Sequence, residues 1–332
     1  MTSSAPIIGV YFTKPNYEDS PFNREEFVCS YHELGLEVTS LGGTLALVRS
    51  METFRGGNRF HGGWIFDGKK FERTDEMIDA GVVFNKGEDF TGDGQTNLVN
   101  DPELHALCEK DRTYRLFSEY CPQSVIVTSP SELEGAFCGL LSERFICKPT
   151  ALCGGKGIVI GTKEEILASK HQYPLLLQEF LDLSGGIPGV MDGLHDLRMV
   201  FIGDRFSYAM VRTPPPGGLT ANITQGGSFF TVPDEKIPVE AMSIARAVDE
   251  RLQSFKTRIY SVDLGRNADG RWYVLELNSP PGLFPSRGDR IMDRDHRMLA
   301  EHLLRIAKQE WQQGKETVSE SMDAASSQMI RS

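Results

Sequence analysis

Residues 258–283 read RIYSVDLGRNADGRWYVLELNSPPGL, in which two apolar runs flank Asp269-Gly270. An Asp-Gly pair between such runs is a strong signal for a β-hairpin with a two-residue turn. Pairing outward from that turn places Asp263 directly opposite Glu276, with the two side chains ~5 Å apart on one face. Asn278 follows Glu276 on the same face, because side chains alternate along a strand.

Two ionised carboxylates at opposed positions repel each other, and burying them unpaired is costly. A hard dication removes that cost, and Mg²⁺ prefers oxygen ligands and keeps room for phosphate oxygens and water. Asp263, Glu276 and Asn278 are therefore predicted to bind Mg²⁺ together with a nucleotide. The alternative, from the hairpin alone, is an exposed polar face whose ionised groups lie in water.

A glycine-rich loop lies between two predicted strands in FICKPTALCGGKGIVIG, residues 145–161. Lys148 ends the first strand, and the loop glycines let backbone N–H groups approach phosphates because glycine lacks a Cβ and tolerates positive φ. The spacing is not that of a Walker P-loop, and no helical pattern follows at once. Taken alone, the loop is more typical of a flexible hairpin tip than of a phosphate site.

Composition narrows the classes of partner. The 332 residues are 40% hydrophobic and 24% charged, with a formal net charge of -11, so nucleic acid and anionic membranes are not expected as main partners. Anionic ligands must then be met by local cations. The absence of a long apolar run or a basic leader predicts a cytoplasmic protein, and six cysteines without a CxxC pair predict reduced thiols.

The order of patterns predicts an α/β organisation in three parts. Residues 1–100 begin with a βαβ pattern, in which a helix stops at Gly35, EVTSLGG is strand material, and Asp67-Gly68 turns a hairpin. Residues 101–181 carry the lysines and the glycine loop, and residues 182–312 carry the acidic hairpin after another hairpin at Gly203-Asp204. The polar residues 313–332 are predicted to be a disordered tail.

Several segments, taken in order, resemble motifs of the ATP-grasp superfamily, in particular the branch with glutathione synthetase and the ribosomal-protein glutamate ligases. The resemblance covers roughly residues 100–290. It rests on Lys110, on Lys148 with its GGKG loop, and on LLQEFL, DLRMVFIGD, VRTPPPGGLTANITQGG, SVDLG and LELNSPPGL. It implies an ATP-grasp fold of mixed α/β class, with an N-terminal Rossmann-like domain before a two-lobed ATP-binding module.

The resemblance also implies roles for individual residues. Lys110 and Lys148 would hold the α- and β-phosphates of ATP. The other nucleotide contacts would come from Gly154, Gly155, Lys156, Gly157, Gln178, Glu179, Phe180, Leu181 and Asp196. Two Mg²⁺ ions, or Mn²⁺ in their place, would bind Asp263, Glu276 and Asn278. Arg198, Arg212 and Asn222 would act on the acceptor carboxylate and its acyl phosphate.

The sequence departs from the family pattern at Thr220, where related sequences commonly have arginine. The expected activity is an ATP-dependent carboxylate–amine ligase that forms an acyl phosphate and takes small carboxylates and amines, such as amino acids or peptides. The alternatives are a nucleotide-binding regulator without ligase chemistry and a phosphotransferase on the same fold. The resemblance also implies a homo-oligomer, although no interface signature is visible in the sequence.

Overall fold

The computed structural model describes residues 5–152, 155–218 and 226–329, with side chains described as far as residue 309. The strands in these ranges are β1 Ile7–Phe12, β2 Thr44–Arg49, β3 Arg59–Phe66, β4 Phe71–Asp79, β5 Val82–Asn85, β6 Leu98–Val99, β7 Ser124–Val127, β8 Phe145–Pro149, β9 Val159–Gly161, β10 Leu175–Glu179, β11 Asp196–Ile202, β12 Arg205–Thr213, β13 Ser228–Val232, β14 Ile259–Arg266 and β15 Trp272–Asn278. The α-helices are α1 Glu25–Ser40, α2 Pro102–Leu107, α3 Lys110–Phe117, α4 Pro130–Ala136, α5 Lys163–Ala168, α6 Val239–Arg251 and α7 Arg290–Met329.

The chain divides into two compact units. The first contains the residues up to Pro102 together with those from Gly282 onward, and the second runs from Glu103 to Pro281. This division differs from the three predicted parts, because α7 packs in the first unit against α1 and β5. The predicted boundary between residues 181 and 182 stays a prediction. None of the described helices is long and apolar enough to cross a membrane.

The first unit has a mixed sheet whose described strands lie in the order β4-β3-β2-β1-β5-β6. β1 pairs in parallel with β2 and β5, as the βαβ pattern predicts, and β3 and β4 form the predicted antiparallel hairpin with Phe66 opposite Phe71. The mixed α/β class is therefore confirmed for this unit. Tyr31, Leu34 and Val38 of α1 are buried.

The predicted end of α1 at Gly35 is wrong, because the helix continues to Ser40 and replaces the strand predicted for EVTSLGG. A Cβ on Gly35 would lie 2.7 Å from the Phe66 ring. The glycine is therefore explained by close packing on the sheet and not by a helix stop.

At the other end of the unit, α7 runs to Met329, through the segment predicted to be disordered.

The second unit contains two antiparallel sheets. The smaller has the order β7-β10-β8-β9 among the described strands, and one of its faces packs Val127, Cys147, Leu175 and Leu177 into a core. The other face carries polar groups, because alternate residues such as Lys148 and Gln178 point away from that core. This alternation is what turns the two side chains toward a common pocket.

The larger sheet has the order β13-β12-β11-β14-β15 in the part of the chain that the structure describes. Its core face packs against α6, where Ala241, Ala245 and Val248 are buried. The predicted hairpin at Gly203-Asp204 is confirmed by the closing pair of Ile202 and Arg205.

The β14–β15 hairpin confirms the predicted pairing of Asp263 with Glu276, but its turn differs. The last pair is Arg266 with Trp272, so the loop spans residues 267–271 and not the two residues Asp269-Gly270. The Asn267 carboxamide oxygen accepts a hydrogen bond of 2.8 Å from the Arg271 N–H, which favours the wider loop. A bulge that leaves Leu275 without a cross-strand partner then restores the pairing of the two acids.

Candidate functional site

One pocket of the second unit collects most of the predicted site residues. The predicted residues that line it are Lys110, Lys148, Gly155, Lys156, Gln178, Glu179, Phe180, Leu181, Asp196, Arg212, Asp263 and Glu276. Arg198 and Asn278 are not part of the lining, but both donate hydrogen bonds to Asp263. Gly154, Thr220 and Asn222 lie outside the described residues.

Two lysines flank the carboxylate of Glu276 at one end of this pocket. Lys110, the first residue of α3, places its Nζ 3.3 Å from Glu276 Oε1 and donates a hydrogen bond of 2.6 Å to the Leu152 carbonyl. Lys148 on β8 donates a hydrogen bond of 2.7 Å to Gln178 Oε1. Burial lowers the pKa of Lys148 to about 8, with Glu276 opposing and Lys110 reinforcing the shift. The arrangement presents two cations and one anion to any ligand in the pocket.

Asp263 lies at the centre of a buried cluster of alternating charges. Strand pairing sets Arg198 opposite Asp263, and the Arg198 Nε and Nη2 donate to its two carboxylate oxygens at 2.8 Å each. The Arg212 guanidinium bridges Asp196 and Asp263, with its Nη2 2.7 Å from Asp196 Oδ2 and 2.6 Å from Asp263 Oδ2. Charge-assisted bonds in this geometry are among the strongest that side chains form.

The same cluster shifts the pKa of each acid. Burial of Asp263 opposes its ionisation, but the guanidinium groups of Arg198 and Arg212 overcome this effect and lower its pKa to about 2. Burial dominates at Asp196, whose pKa rises to about 6 although Arg212 opposes the shift. The difference follows from the geometry, because Asp263 contacts two guanidinium groups and Asp196 shares one.

A dication is not needed to keep the opposed acids charged, contrary to the expectation from the sequence. Asp263 is 1% exposed and is neutralised by Arg198 on the adjacent strand β11 and by Arg212 on β12, one strand further across the sheet. Glu276 is neutralised by Lys110. The two arginines predicted to face the acceptor instead direct their Nε and Nη2 atoms at acidic side chains of the same sheet.

The oxygen donors needed for a hard dication are present in part. The Glu276 side chain is 31% exposed, and Asn278 lies two residues further along β15. The Asp263 oxygens accept four hydrogen bonds, from Arg198 Nε, Arg198 Nη2, Arg212 Nη2 and Asn278 Nδ2. Three of these bonds fall on Oδ2 and one on Oδ1, and Asp263 is 1% exposed, so a metal reaches this carboxylate only after one of the surrounding donors moves. No cluster of three or more His, Cys, Asp or Glu side chains suited to a metal occurs in the described ranges.

The glycine loop adopts the backbone that its composition predicts. Gly155 and Gly157 have φ of 73° and 70°. A Cβ on Gly157 would also lie 2.9 Å from Pro149 Cγ, so this position excludes larger residues on two counts. Contact between the loop and a phosphate stays a prediction.

The pocket also has an apolar wall that was not predicted, which includes Ile146, Ile160, Leu183, Leu194 and Leu275. Ile146 could have been found, because it lies two residues before Lys148 on one strand and so shares its face. The wall is suited to a flat aromatic ring.

His195 is also part of this lining and was not predicted. Its Nδ1 lies 3.1 Å from the Gly193 carbonyl, its Nε2 accepts from the Arg266 N–H at 3.4 Å, and burial lowers its pKa. The imidazole is therefore neutral near pH 7 and serves as a structural contact between two chain segments.

The two side chains at the end of β10 have protein partners. Glu179 Oε1 accepts a hydrogen bond of 2.7 Å from the Leu141 N–H. The Gln178 side chain hydrogen-bonds to Lys148 on one neighbouring strand and to Ser124 on the other, so it lies across the face of the sheet. Phe180 lies under the Arg144 guanidinium, at 4.8 Å from the ring centroid. The predicted contacts of these residues with adenine are not tested by this geometry.

The comparisons with solved structures define the fold. D-alanyl-alanine synthetase A from Vibrio cholerae matches with a TM-score of 0.60 and 13% identity, covering 93% of this chain and 99% of that one. VanG D-Ala:D-Ser ligase from Enterococcus faecalis matches with a TM-score of 0.60 and 16% identity, covering 91% and 99%. A RimK domain ATP-grasp protein from Sphaerobacter thermophilus also matches, with a TM-score of 0.55 and 14% identity, covering 90% and 99%. The chain therefore has the ATP-grasp fold, as its motifs predict.

The sequence relationship is narrower. The chain resembles a probable alpha-L-glutamate ligase 2 from Hahella chejuensis, with 31% identity over 147 residues. The match spans 42% of this chain and 42% of the relative, less than half of either protein. No protein-family model matches the chain. The resemblance to ATP-grasp ligases of the glutamate ligase type is thus confirmed for part of the chain.

Proposed function

We propose that this protein is an ATP-dependent carboxylate–amine ligase, which forms an amide bond through an acyl phosphate and releases ADP and phosphate. One observation carries the proposal: Lys110, Lys148 and Glu276 line a single pocket, with Lys110 Nζ 3.3 Å from Glu276 Oε1. Such a group of charges suits a nucleotide triphosphate with its metal. The ligase names of the relatives support the same reaction class.

Different residues of the pocket bind different parts of the nucleotide. The apolar wall with Ile146 and Leu275 takes the adenine ring, and Lys110 and Lys148 neutralise phosphate oxygens. Glu276 and Asn278, with Asp263 once a donor has moved, would hold Mg²⁺ or Mn²⁺. A metal bound there would supply neutralisation of phosphate charge. Arg212 then gives up its hydrogen bond to the Asp263 carboxylate and donates to an oxygen of the bound ligand instead.

The reaction needs positioning more than covalent help from the protein. An oxygen of the substrate carboxylate attacks the γ-phosphorus, the bond to the bridging oxygen breaks, and ADP leaves. The amine then attacks the acyl carbon, loses a proton and expels phosphate. Lys148 and Arg212 stabilise negative charge during the first step, and the loop with Gly155 and Gly157 shields the acyl phosphate from water.

The amine is proposed to be an amino acid or the end of a peptide, as the names of the glutamate and D-alanine ligases suggest. A screen of carboxylic acids against amino acids, read by phosphate release, tests the proposal. The expected result is phosphate release that requires both partners and is abolished in Lys148→Met. Lys256→Met is the matched control, since Lys256 is exposed on the surface of the same unit.

Each alternative has its own outcome in this screen. A phosphotransferase would form ADP without free phosphate and with a phosphorylated product. A regulator would bind ATP without amine-dependent turnover under any pairing. Hydroxylamine added to the reaction should trap the acyl phosphate as a hydroxamate, and turnover without any trapped hydroxamate would contradict the proposed intermediate.

A further inference from the structure

We propose that Ser124 and Gln178 are positioning residues that hold the Lys148 ammonium group in place for a nucleotide phosphate. This inference rests on the proposed function, since it assigns Lys148 to phosphate binding. It gives Gln178 a role different from the adenine contact predicted from the sequence. It also assigns a role to Ser124, which no sequence motif singled out.

The three side chains share one face of the smaller sheet because of strand pairing. Ser124 on β7 is paired directly with Gln178 on β10. Lys148 on β8 is paired with Leu176, two residues before Gln178 on β10. Side chains two residues apart on a strand lie on one face, so Lys148, Gln178 and Ser124 form a row across three adjacent strands.

The hydrogen bonds in this row have a fixed direction. Ser124 Oγ donates its proton to the Pro122 carbonyl at 2.8 Å, so it acts as an acceptor toward Gln178. The Gln178 Nε2 donates to Ser124 Oγ at 2.9 Å, which turns Oε1 toward the ammonium group of Lys148 at 2.7 Å. A backbone carbonyl and an ammonium group fix the two ends, because the first only accepts and the second only donates.

Because this row of side chains is buried, the loss of one of its hydrogen bonds is costly. Gln178 is 3% exposed and Ser124 is 7% exposed, so water does not replace a lost partner at low cost. A rotation of the Gln178 amide by half a turn would place its NH₂ group against the Lys148 ammonium. The hydroxyl of Ser124 thus excludes that rotamer, although it does not itself reach the pocket lining.

The test is a set of variants measured first by nucleotide affinity, with ADP and Mg²⁺ as the probe. Ser124→Ala removes the acceptor for Gln178 Nε2, so the Gln178 amide no longer holds the Lys148 ammonium in one orientation. We expect ADP binding to weaken about tenfold, in line with the loss of an ordered hydrogen bond between Gln178 Oε1 and that charged group. Ser124→Thr restores the hydroxyl and should recover the wild-type affinity. Gln178→Met, of similar volume, should weaken ADP binding at least as much as Ser124→Ala. It replaces Ser124→Ala as the test variant if Ser124→Ala folds poorly.

Two controls separate positioning from a general effect on the fold. Ser30→Ala removes a buried hydroxyl that donates to a backbone carbonyl at 2.7 Å in the first unit, and it should leave ADP affinity unchanged. In a Lys148→Met background, Ser124→Ala should have no further effect on affinity, because its influence passes through Lys148.

The outcomes distinguish this inference from the proposed function. If the wild-type protein does not bind ADP or ATP, the proposed function fails. If the wild type binds but Ser124→Ala and Gln178→Met bind equally well, or if Ser124→Ala weakens binding by the same factor without Lys148, the positioning role is refuted. A fall in thermal stability alone, with unchanged affinity, also refutes it.

Discussion

Replacing Glu276 by glutamine should change nucleotide affinity in opposite directions with and without metal. The substitution keeps the size and one oxygen of the side chain but removes its charge. Without metal, the carboxylate repels phosphate oxygens and engages Lys110 at 3.3 Å, so Glu276→Gln should strengthen ADP binding in a chelator. With Mg²⁺, a charged ligand of the ion is lost, so the same substitution should weaken binding.

The size of the metal-free effect follows from the geometry. Two unit charges about 4 Å apart interact with about 4 kcal/mol at an effective dielectric constant of about 20. The Glu276 side chain is 31% exposed, so solvent reduces this value. We expect about 1–2 kcal/mol, equivalent to about 5- to 30-fold tighter binding of metal-free ADP. With excess Mg²⁺, we expect about tenfold weaker binding or more.

Isothermal titration calorimetry with ADP, in EDTA and in excess Mg²⁺, measures both effects on one protein preparation. Glu179→Gln is a matched control, because it makes the same substitution in the same pocket at a side chain that accepts from the Leu141 N–H. Its effect should not change sign with metal. Effects of Glu276→Gln with the same sign in both buffers would refute the assignment of Glu276 as a metal ligand.

Three further predictions concern other parts of the site. The pKa of Lys148 is lowered to about 8, so its ammonium form is lost as the pH rises through that value. The affinity of the wild-type protein for ATP should therefore fall above about pH 8. A flat pH profile, or an equal fall in Lys148→Arg, would contradict this. Arg198→Met leaves Asp263 with one guanidinium partner in a buried site and should lower the free energy of unfolding by about 3–5 kcal/mol in urea titrations; an unchanged midpoint would contradict this. Gly157→Ala adds a Cβ 2.9 Å from Pro149 Cγ at positive φ and should weaken ATP binding while the thermal midpoint of the protein stays near that of the wild type, and unchanged affinity would contradict the role of the loop.

Much of the element order could be read from the sequence, since alternation and turn residues are local signals, although the strand predicted for EVTSLGG was wrong and α7 runs through the segment predicted to be disordered. The pairing of Asp263 with Glu276 was predicted from a two-residue turn, yet the loop is wider by three residues and the bulge at Leu275 compensates. The prediction was therefore correct for a reason that the structure does not support. Bulges depend on contacts across the sheet, and no local signal marks them.

A second bulge explains why the charge cluster was not predicted. Outward from the closing pair of Ile202 and Arg205, regular pairing would set Asp196 opposite Val211. In this hairpin Phe201 pairs with Phe206 but Val200 pairs with Tyr208, and this register shift sets Asp196 opposite Arg212. One extra residue thus turns the Arg212 side chain toward the two acids, and the sequence shows only that arginines occur in both arms.

Packing decided the remaining differences. Glycine often ends helices, so Gly35 predicted a helix stop. In the structure, this glycine makes room for the Phe66 ring instead. The apolar wall of the pocket consists of ordinary strand residues, such as Ile160, that carry no motif. Motifs located the charged half of the site, and only the folded sheets identified the apolar half.

A crystal structure with Mg²⁺ and a non-hydrolysable ATP analogue tests the proposed nucleotide site most directly. We expect adenine against the wall formed by Ile146 and Leu275, phosphates on Lys110 and Lys148, and metal on Glu276 and Asn278, with Arg212 released from Asp263. An analogue bound elsewhere, or bound here with no metal on Glu276 and with Arg212 still on Asp263, would contradict it.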